Sequence, residues 1–224
     1  MVASSTPLSE KSSQEDPLAH LPCSRVLEYR RGYTIYGREQ PSPGVYLVIE
    51  GKVKVTRYSD RGQEVVVDIY QTDEFFGESA FLNHGSSSEE ARAFEDTKVM
   101  AWTAAEMEGL ATRQPRLAIA LLQVLVQRNV DLARRIESLA VDSIGRRVAR
   151  TLIRLSERMG SPASDGSVQM IPLTHEVLSQ YVGTSREVVT LHMNQFRRKG
   201  YLRYSRKSMV LYRSAFLEWL QQAS

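Results

Sequence analysis

Between about residues 26 and 81 the chain alternates apolar and polar residues with a period of two. Val53 and Val55, for example, alternate with Lys52 and Lys54, and runs of this kind are separated by turns that carry glycine. Successive side chains on a strand point to opposite faces, so the pattern indicates strands with one buried face. Short strands joined by glycine turns predict an antiparallel sandwich or barrel.

From Pro115 the period changes to that of a helix, and the pattern continues to Val141. The first half of this helix is apolar on more than one side, so that one side can lie on the β domain and another on a second copy of the chain. The second half of the helix has a narrower apolar stripe. A narrow stripe on a long helix is typical of a two-stranded coiled coil. We therefore favour a dimer over the alternative, an amphipathic helix packed only on its own core. The residues that we assign to the dimer helix are Leu121, Val124, Leu125, Leu132, Ile136 and Leu139.

The chain divides into four predicted segments. Residues 1–19 are rich in Ser, Pro and charge, so we expect a mobile arm. A β domain (20–114) and the long helix (115–141) follow. The C-terminal domain (142–224) begins after a predicted hinge at Val141–Gly145, since glycine is unfavourable inside a helix, and its first helix is predicted from Arg146 to Met159.

The strongest local signal lies between residues 171 and 211. Thr174 is a good N-cap for a short helix that ends near Tyr181, and Gly183 can supply the left-handed conformation of a tight turn. A second helix is predicted from Ser185 to Arg198, and Gly200 suits the position just after its end. Residues 201–212 then alternate around a basic tip, which indicates a β-hairpin. This order predicts a winged helix-turn-helix.

The second helix carries the side chains that reading DNA requires. Arg186 and Glu187 lie in its first turn, where a helix in the major groove meets base edges; Arg pairs with guanine, and Glu accepts from cytosine. The other candidate base-facing or backbone-facing residues are Thr174, His175, Thr184, Ser185, Thr190, Leu191 and Asn194. The predicted phosphate contacts are Arg197, Arg198, Lys199 and Arg206. The alternative is a generic helical hairpin with an exposed basic end.

Charge supports this division. The net charge is +3, but residues 143–224 hold 13 basic and 5 acidic residues and the remainder is net acidic. The basic part is expected to meet a polyanion. No apolar run approaches the roughly 20 residues that cross a bilayer, the first residues are not a secretory signal, and Cys23 is the only cysteine. These features favour a cytoplasmic protein in a reducing compartment.

Together these features resemble the cyclic-AMP receptor protein/FNR (Crp/Fnr) family of bacterial transcription regulators over residues 20–224. The segments that carry the resemblance are Arg31-Gly32, Tyr36-Gly37, Gly44–Leu47, Glu50–Val53, Phe75–Glu78, Leu173-Thr174 and Val182–Val189. The resemblance implies an α+β fold with an antiparallel β-roll, a long dimerisation helix and a winged helix-turn-helix. It further implies a homodimer on a near-palindromic duplex DNA site, with RNA polymerase as a further candidate partner.

The sequence departs from the cyclic-nucleotide pattern of this family. Gly77, Glu78 and the adjoining Ser79 match its first half, but the Arg-Ser pair that holds the phosphate aligns with Ser87-Ser88. A phosphate there loses a bidentate cation and meets two acidic neighbours. On the long helix, the hydroxyl pair offered to adenine aligns with Asp131 and Leu132. The sequence therefore predicts DNA binding without cyclic AMP and no cofactor.

The residues of the chain leave some other effectors open and argue against others, and they also argue against an enzyme. Arg92 leaves room for a different anionic ligand, and His84 for a haem, whereas an iron–sulfur cluster needs several cysteines. No P-loop, zinc-spaced Cys/His set or nucleophile elbow occurs, which argues against an enzyme. The remaining alternatives are a regulator gated by another small ligand and a ligand-binding module that does not bind DNA.

Overall fold

Two facing antiparallel sheets form the N-terminal half of the structure, a computed structural model that describes residues 16–37, 40, 42–82, 89–205 and 207–222. The strands of this half are β1 Arg25–Tyr29, β2 Thr34–Tyr36, β3 Gly44–Glu50, β4 Lys52–Tyr58, β5 Glu64–Gln71, β6 Phe75–Phe76, β7 Glu89–Ala93 and β8 Thr97–Thr103. Their orders are β1-β8-β3-β6 and β2-β7-β4-β5. Val48, Val53 and Phe76 are fully buried between the sheets. The predicted sandwich or barrel is thus confirmed as a β-roll.

Two helices follow the β-roll: α1 Ala104–Arg113 and α2 Pro115–Val141. A capping box starts α1, because Glu106 N–H donates to Thr103 Oγ1 (3.2 Å) while Thr103 N–H donates to the Glu106 carboxylate (2.7 Å). Leu117 of α2 is buried with Trp102 and Met107 against the outer face of the β-roll. The predicted long helix is confirmed with both of its boundaries.

The two sides of α2 have different surroundings. Leu121 packs against the core that contains Trp102, and Val124 is half-buried on the same side. Leu125, Leu132, Ile136 and Leu139 are exposed. Leu121 therefore contacts its own β-roll, and Leu121 and Val124 are less exposed than the other four residues assigned to the dimer helix.

The first described residues correct the end of the predicted mobile arm. Pro17–His20 form a 3-10 turn, and Asp16 caps it by accepting from Leu18 N–H at 3.0 Å. Leu18 and Leu21 pack against the core that α1 and α2 share with the β-roll. Residues 16–19 therefore belong to the folded domain, whereas residues 1–15 lie outside the described residues.

The C-terminal domain is a helix-turn-helix with a small sheet. Its helices are α3 Ile144–Met159, α4 His175–Val182, α5 Arg186–Arg198 and α6 Arg213–Gln222. Its strands are β9 Ser161–Pro162, β10 Val168–Met170, β11 Leu202–Tyr204 and β12 Met209–Leu211, in the order β11-β12-β10-β9. The predicted wing is the β11–β12 hairpin, and α6 is an addition that the sequence analysis missed.

The break between the long helix and the C-terminal domain lies at Asp142 and Ser143. The Asp142 carboxylate accepts hydrogen bonds from Ser138 Oγ (2.6 Å) and Arg146 Nε (3.0 Å), which fixes the bend. Gly145 lies inside α3 instead of breaking it, and a Cβ there would come within 3.1 Å of the His192 ring. The helix break thus lies within the predicted hinge segment, and Gly145 serves close packing.

The two halves share one buried core. Val66 and Ile69 of β5 are fully buried among the apolar residues of the C-terminal domain. Beside them, Arg158 of α3 donates to Asp68 Oδ1 at 2.5 Å and to Glu74 Oε2 at 2.7 Å. Burial alone lowers the pKa of Arg158, but these two carboxylates outweigh it and raise that pKa. No helix of the described chain is long and apolar enough to span a membrane.

Candidate nucleic-acid interface and effector pocket

Local hydrogen bonds set the angle between α4 and α5. Thr174 caps α4 by accepting from Val177 N–H at 3.1 Å, and Ser185 caps α5 by accepting from Val188 N–H at 3.4 Å. Between them Gly183 has φ +74°, which a side chain would strain. The predicted caps and turn are confirmed, and Thr184 stands in the turn before the cap.

One side of α5 is buried and the other is exposed. Val189, Met193 and Phe196 are buried, and the Phe196 ring meets Phe216 of α6 edge-on with centroids 5.0 Å apart. Leu191 is 55% exposed. The sequence left open whether Leu191 packs inward or faces DNA, and the structure places its side chain on the solvent side.

Arg186 and Glu187 are exposed in the first turn of α5. Hydrogen bonds from the backbone at this helix end and from Ser185 lower the pKa of Glu187, so its carboxylate stays ionised. Among the described residues, the Arg186 side chain makes no ion pair or hydrogen bond. Both groups are available to an incoming ligand.

Thr190 and His175, in contrast, contact each other. Thr190 Oγ1 donates to the Arg186 carbonyl at 2.8 Å and lies 2.8 Å from His175 Nδ1. Burial, with Arg186 and Arg197 nearby, lowers the pKa of His175 and favours a neutral ring. This pair joins the start of α4 to α5, called the recognition helix below. Both residues therefore hold α5 in position.

The basic end of α5 lies beside the wing. Arg197 stacks over the Tyr204 ring at 5.5 Å, and Tyr204 donates to Asn194 Oδ1 at 3.4 Å. Arg198 and Lys199 are exposed at the helix end. The predicted phosphate contacts at the end of α5 are all exposed, with Arg197 over the wing and Lys199 about 6.0 Å from the Trp219 ring of α6, whereas Arg206 lies outside the described residues.

The effector pocket keeps its glycine frame. Gly77 has φ +86°, and a Cβ there would lie 2.6 Å from the Gly44 carbonyl oxygen, so only glycine fits. Next to it, Glu78 Oε1 accepts from Arg128 Nη1 at 2.7 Å. Arg128 also donates to the Phe75 carbonyl and lies 4.8 Å from the Tyr70 ring centroid. The Arg128 guanidinium of α2 is therefore paired with the Glu78 carboxylate of the Gly-Glu motif.

A second carboxylate lies on the inner side of β7. Glu89 Oε1 accepts from Tyr36 Oη at 2.7 Å and lies 3.3 Å from Ser79 Oγ. Burial, reinforced by Glu89, raises the pKa of Tyr36, so the phenol stays protonated and donates. A phosphate at Ser79 would meet this carboxylate.

Three other pocket predictions are relocated by the structure. Arg92 is exposed on the outer side of β7 and pairs with Glu90 at 2.7 Å, so it does not face the pocket. Asp131 pairs with Arg134, and Leu132 is exposed on the other side of α2. Ser87, Ser88 and His84 lie outside the described residues. Sequence reasoning missed Arg128, although it follows Leu117, Leu121 and Val124 at helical spacing on the buried face.

Comparison with known proteins decides the family. The family model for a cyclic nucleotide-binding domain matches residues 26–114, and the model for a Crp-like helix-turn-helix domain matches residues 146–218. Together they match more than half of the chain. The chain belongs to the Crp/Fnr family of transcription regulators. This Crp/Fnr regulator thus pairs a cyclic-nucleotide-type β-roll with a DNA-binding helix-turn-helix.

Curated relatives match this Crp/Fnr chain over most of their length, and they are transcriptional regulators. It is 26% identical over 185 residues to the CRP-like cAMP-activated global transcriptional regulator of Mycobacterium tuberculosis, covering 83% of each chain. It is 31% identical over 164 residues to the transcriptional regulator SdrP of Thermus thermophilus, covering 73% of this chain and 76% of SdrP. These relatives are transcriptional regulators, so the chain is a regulator and not an enzyme.

Solved structures agree with the fold. A CRP/FNR-family transcriptional regulator from Thermus thermophilus superposes with a TM-score of 0.71 at 26% identity, covering 88% of this chain and 98% of that chain. FixK2 from Bradyrhizobium japonicum gives a TM-score of 0.74 at 22% identity over 87% of this chain and 96% of that chain, a likeness of fold alone.

Proposed function

We propose that this Crp/Fnr regulator binds a specific duplex DNA site as a homodimer. The observation that carries the proposal is the exposed first turn of α5, where the Arg186 side chain makes no ion pair or hydrogen bond among the described residues and the exposed Glu187 carboxylate accepts from Ser185 and its own helix end. Arg186 pairs with a guanine, and Glu187 accepts from a cytosine. Arg197, Arg198 and Lys199 bind phosphates, with Arg206 as a further contact on the wing.

The dimer forms along the exposed apolar side of α2. Leu132, Ile136 and Leu139 on that side are each close to half exposed or more, which is unfavourable for a lone helix in water. Pairing two copies buries them and presents two recognition helices about one helical turn of DNA apart, on a near-palindromic site. RNA polymerase is a further partner if the regulator activates transcription.

We propose further that DNA binding needs no cyclic AMP. The Glu78 carboxylate is engaged by Arg128, and Glu89 lies at the serine where a phosphate would bind. At the aligned Arg-Ser position the sequence has Ser87-Ser88, so a bidentate cation is missing. The M. tuberculosis relative is named as cAMP-activated, whereas the proposal for the present chain is binding without the nucleotide.

The test is selection of genomic DNA fragments by the purified, nucleotide-free protein. We expect enrichment of a near-palindrome with guanine in each half-site, and a band shift that persists without additives. A second candidate, a regulator gated by another small ligand, is favoured by the retained Gly77 frame. It would be supported if the nucleotide-free protein bound DNA without sequence preference and a cell extract of small molecules restored selectivity.

A further inference from the structure

Six residues on the exposed side of α2 follow one another at alternating steps of three and four. All six are exposed, and the exposed fraction of the five apolar ones runs from 44% at Leu125 to 67% at Ile136. This set, called the seam here, consists of Leu122, Leu125, Asn129, Leu132, Ile136 and Leu139. Steps of three and four repeat every seven residues, which is the spacing of the contact line of a left-handed coiled coil.

The heptad assignment fixes the type of coil. Leu122, Asn129 and Ile136 fall at the a positions, and the leucines at 125, 132 and 139 fall at the d positions. Leucine at d, with a polar residue (Asn129) and a β-branched residue (Ile136) at two of the three a positions, favours two strands in parallel over higher oligomers. A second copy of this chain is therefore the occupant that the seam fits.

Two arginines of α2 outside the seam are bound within their own chain. Arg128 binds Glu78, and Arg135 donates to the carbonyls of Val67 (2.5 Å) and Tyr181 (3.1 Å). These contacts fix the rotation of α2, so that the seam faces away from the β-roll. A partner helix can therefore approach α2 on the seam side; at its C-terminal end the seam passes close to the turn after α4, since a Cβ at Gly183 would lie 3.8 Å from Leu139 Cδ2.

Asn129 is the one polar residue among the six and stands near the middle of the seam. Among the described residues its carboxamide has no hydrogen-bond partner. In a parallel coil in register, Asn129 faces Asn129 of the second copy, and the two amides can pair donor to acceptor. A shift by one heptad, or an antiparallel arrangement, buries each amide against leucine or isoleucine with no partner, which is costly.

We propose that Asn129 selects the parallel, in-register dimer, and this inference rests on the homodimer of the proposed function. Register matters because only Asp142 and Ser143 separate α2 from α3. A slip of one heptad would displace one DNA-binding domain by about 10 Å along the helix axis. Two reading heads displaced in this way no longer match half-sites spaced by one turn of DNA.

Disulfide mapping tests register directly. In a Cys23→Ser background, Leu125→Cys and Leu132→Cys are made in separately tagged chains that are mixed, refolded together and oxidised. Each variant is expected to cross-link to its own copy, since seam positions face each other in register. Cross-links between the two different variants report a slip of one heptad and are expected at background level.

The decisive comparison places Asn129→Leu in both chains. We expect cross-links between the different variants to rise at least about tenfold, because the slipped register no longer buries an unpaired amide. Gln127→Leu, an exposed position of the same helix outside the seam, is the matched control and should leave the pattern unchanged. The proposal is overturned if Asn129→Leu cross-links as the parent does, or if the parent already slips.

Sedimentation of the parent protein separates the two levels of the argument. A monomer at micromolar concentration contradicts the homodimer and, with it, the role of Asn129. A dimer whose register is insensitive to Asn129→Leu leaves the homodimer standing and removes only the register role. Rising cross-links in a stable dimer support both.

Discussion

The recognition helix and the effector pocket carry similar charged groups in opposite states. On α5, Arg186 and Glu187 are exposed; Arg186 has no side-chain partner among the described residues, and Glu187 accepts only local hydrogen bonds from Ser185 and the helix-end backbone. In the pocket, Glu78 is held by Arg128, and Glu89 by Tyr36. A ligand there must first break internal contacts. The difference agrees with the proposed function, in which the recognition helix is open to DNA and the carboxylates of the effector pocket are paired internally.

The largest effect is expected where the two regions are joined. Arg158→Met should lower the free energy of unfolding by about 3 kcal/mol, because the partly buried Glu74 carboxylate loses its cation and Asp68 keeps Arg154, at 3.4 Å, as its remaining cation. Urea unfolding followed by circular dichroism measures this. Arg61→Met, on an exposed turn, is the control, and equal midpoints for the two variants would contradict the structural role of Arg158.

The next largest effect is expected for the recognition of DNA bases by Arg186. Arg186→Ala should weaken binding to the selected site by about 1–3 kcal/mol, roughly 5- to 150-fold, while binding to random DNA changes little. Arg198→Ala should weaken both kinds of DNA alike and reduce the salt slope by about 1. Band shifts at several salt concentrations separate the two. If Arg186→Ala lost the same affinity on both DNAs, base reading by Arg186 would be wrong.

A smaller effect is expected from the cap that orients the recognition helix. Ser185→Ala removes the acceptor of Val188 N–H and should cost about 1 kcal/mol in thermal or urea unfolding. Thr184→Ala, one residue earlier in the turn, is the matched control and should change stability less. Equal losses for both variants would show that Ser185 does not act as a cap.

For the addition of cyclic AMP, no effect is expected. Titration of the dialysed protein with cyclic AMP should show no saturable heat, because Glu89 repels a phosphate and Glu78 is already paired. The melting temperature should also stay unchanged at millimolar nucleotide. Micromolar binding in this titration would remove the contrast between the pocket and the recognition helix.

The elements with a strong local signal could be predicted from sequence. The helix Pro115–Val141, the caps at Thr174 and Ser185, and the turn at Gly183 each depend on residues that are neighbours in the chain. Local hydrogen bonds and periodicity decide such features, so the sequence contains them directly.

The features that could not be predicted from the sequence depend on contacts between residues that are distant in the chain. Arg128 and Glu78 are 50 positions apart, and only the folded β-roll brings them together. Leu121 shares the helical period of the dimer stripe, and nothing local shows that Trp102 will lie against it. Gly145 resembles a hinge glycine until the His192 ring is placed beside it. Tertiary packing decides each of these cases.

The burial of Val66 and Ile69 within the C-terminal domain has a consequence for engineering. A chimeric regulator made by exchanging the DNA-binding domain at the Asp142–Ser143 break would leave these two side chains facing a foreign surface. Grafts should therefore retain β5 together with its native C-terminal partner, or redesign both surfaces at once. In this protein the natural unit of exchange is larger than the domain boundary suggests.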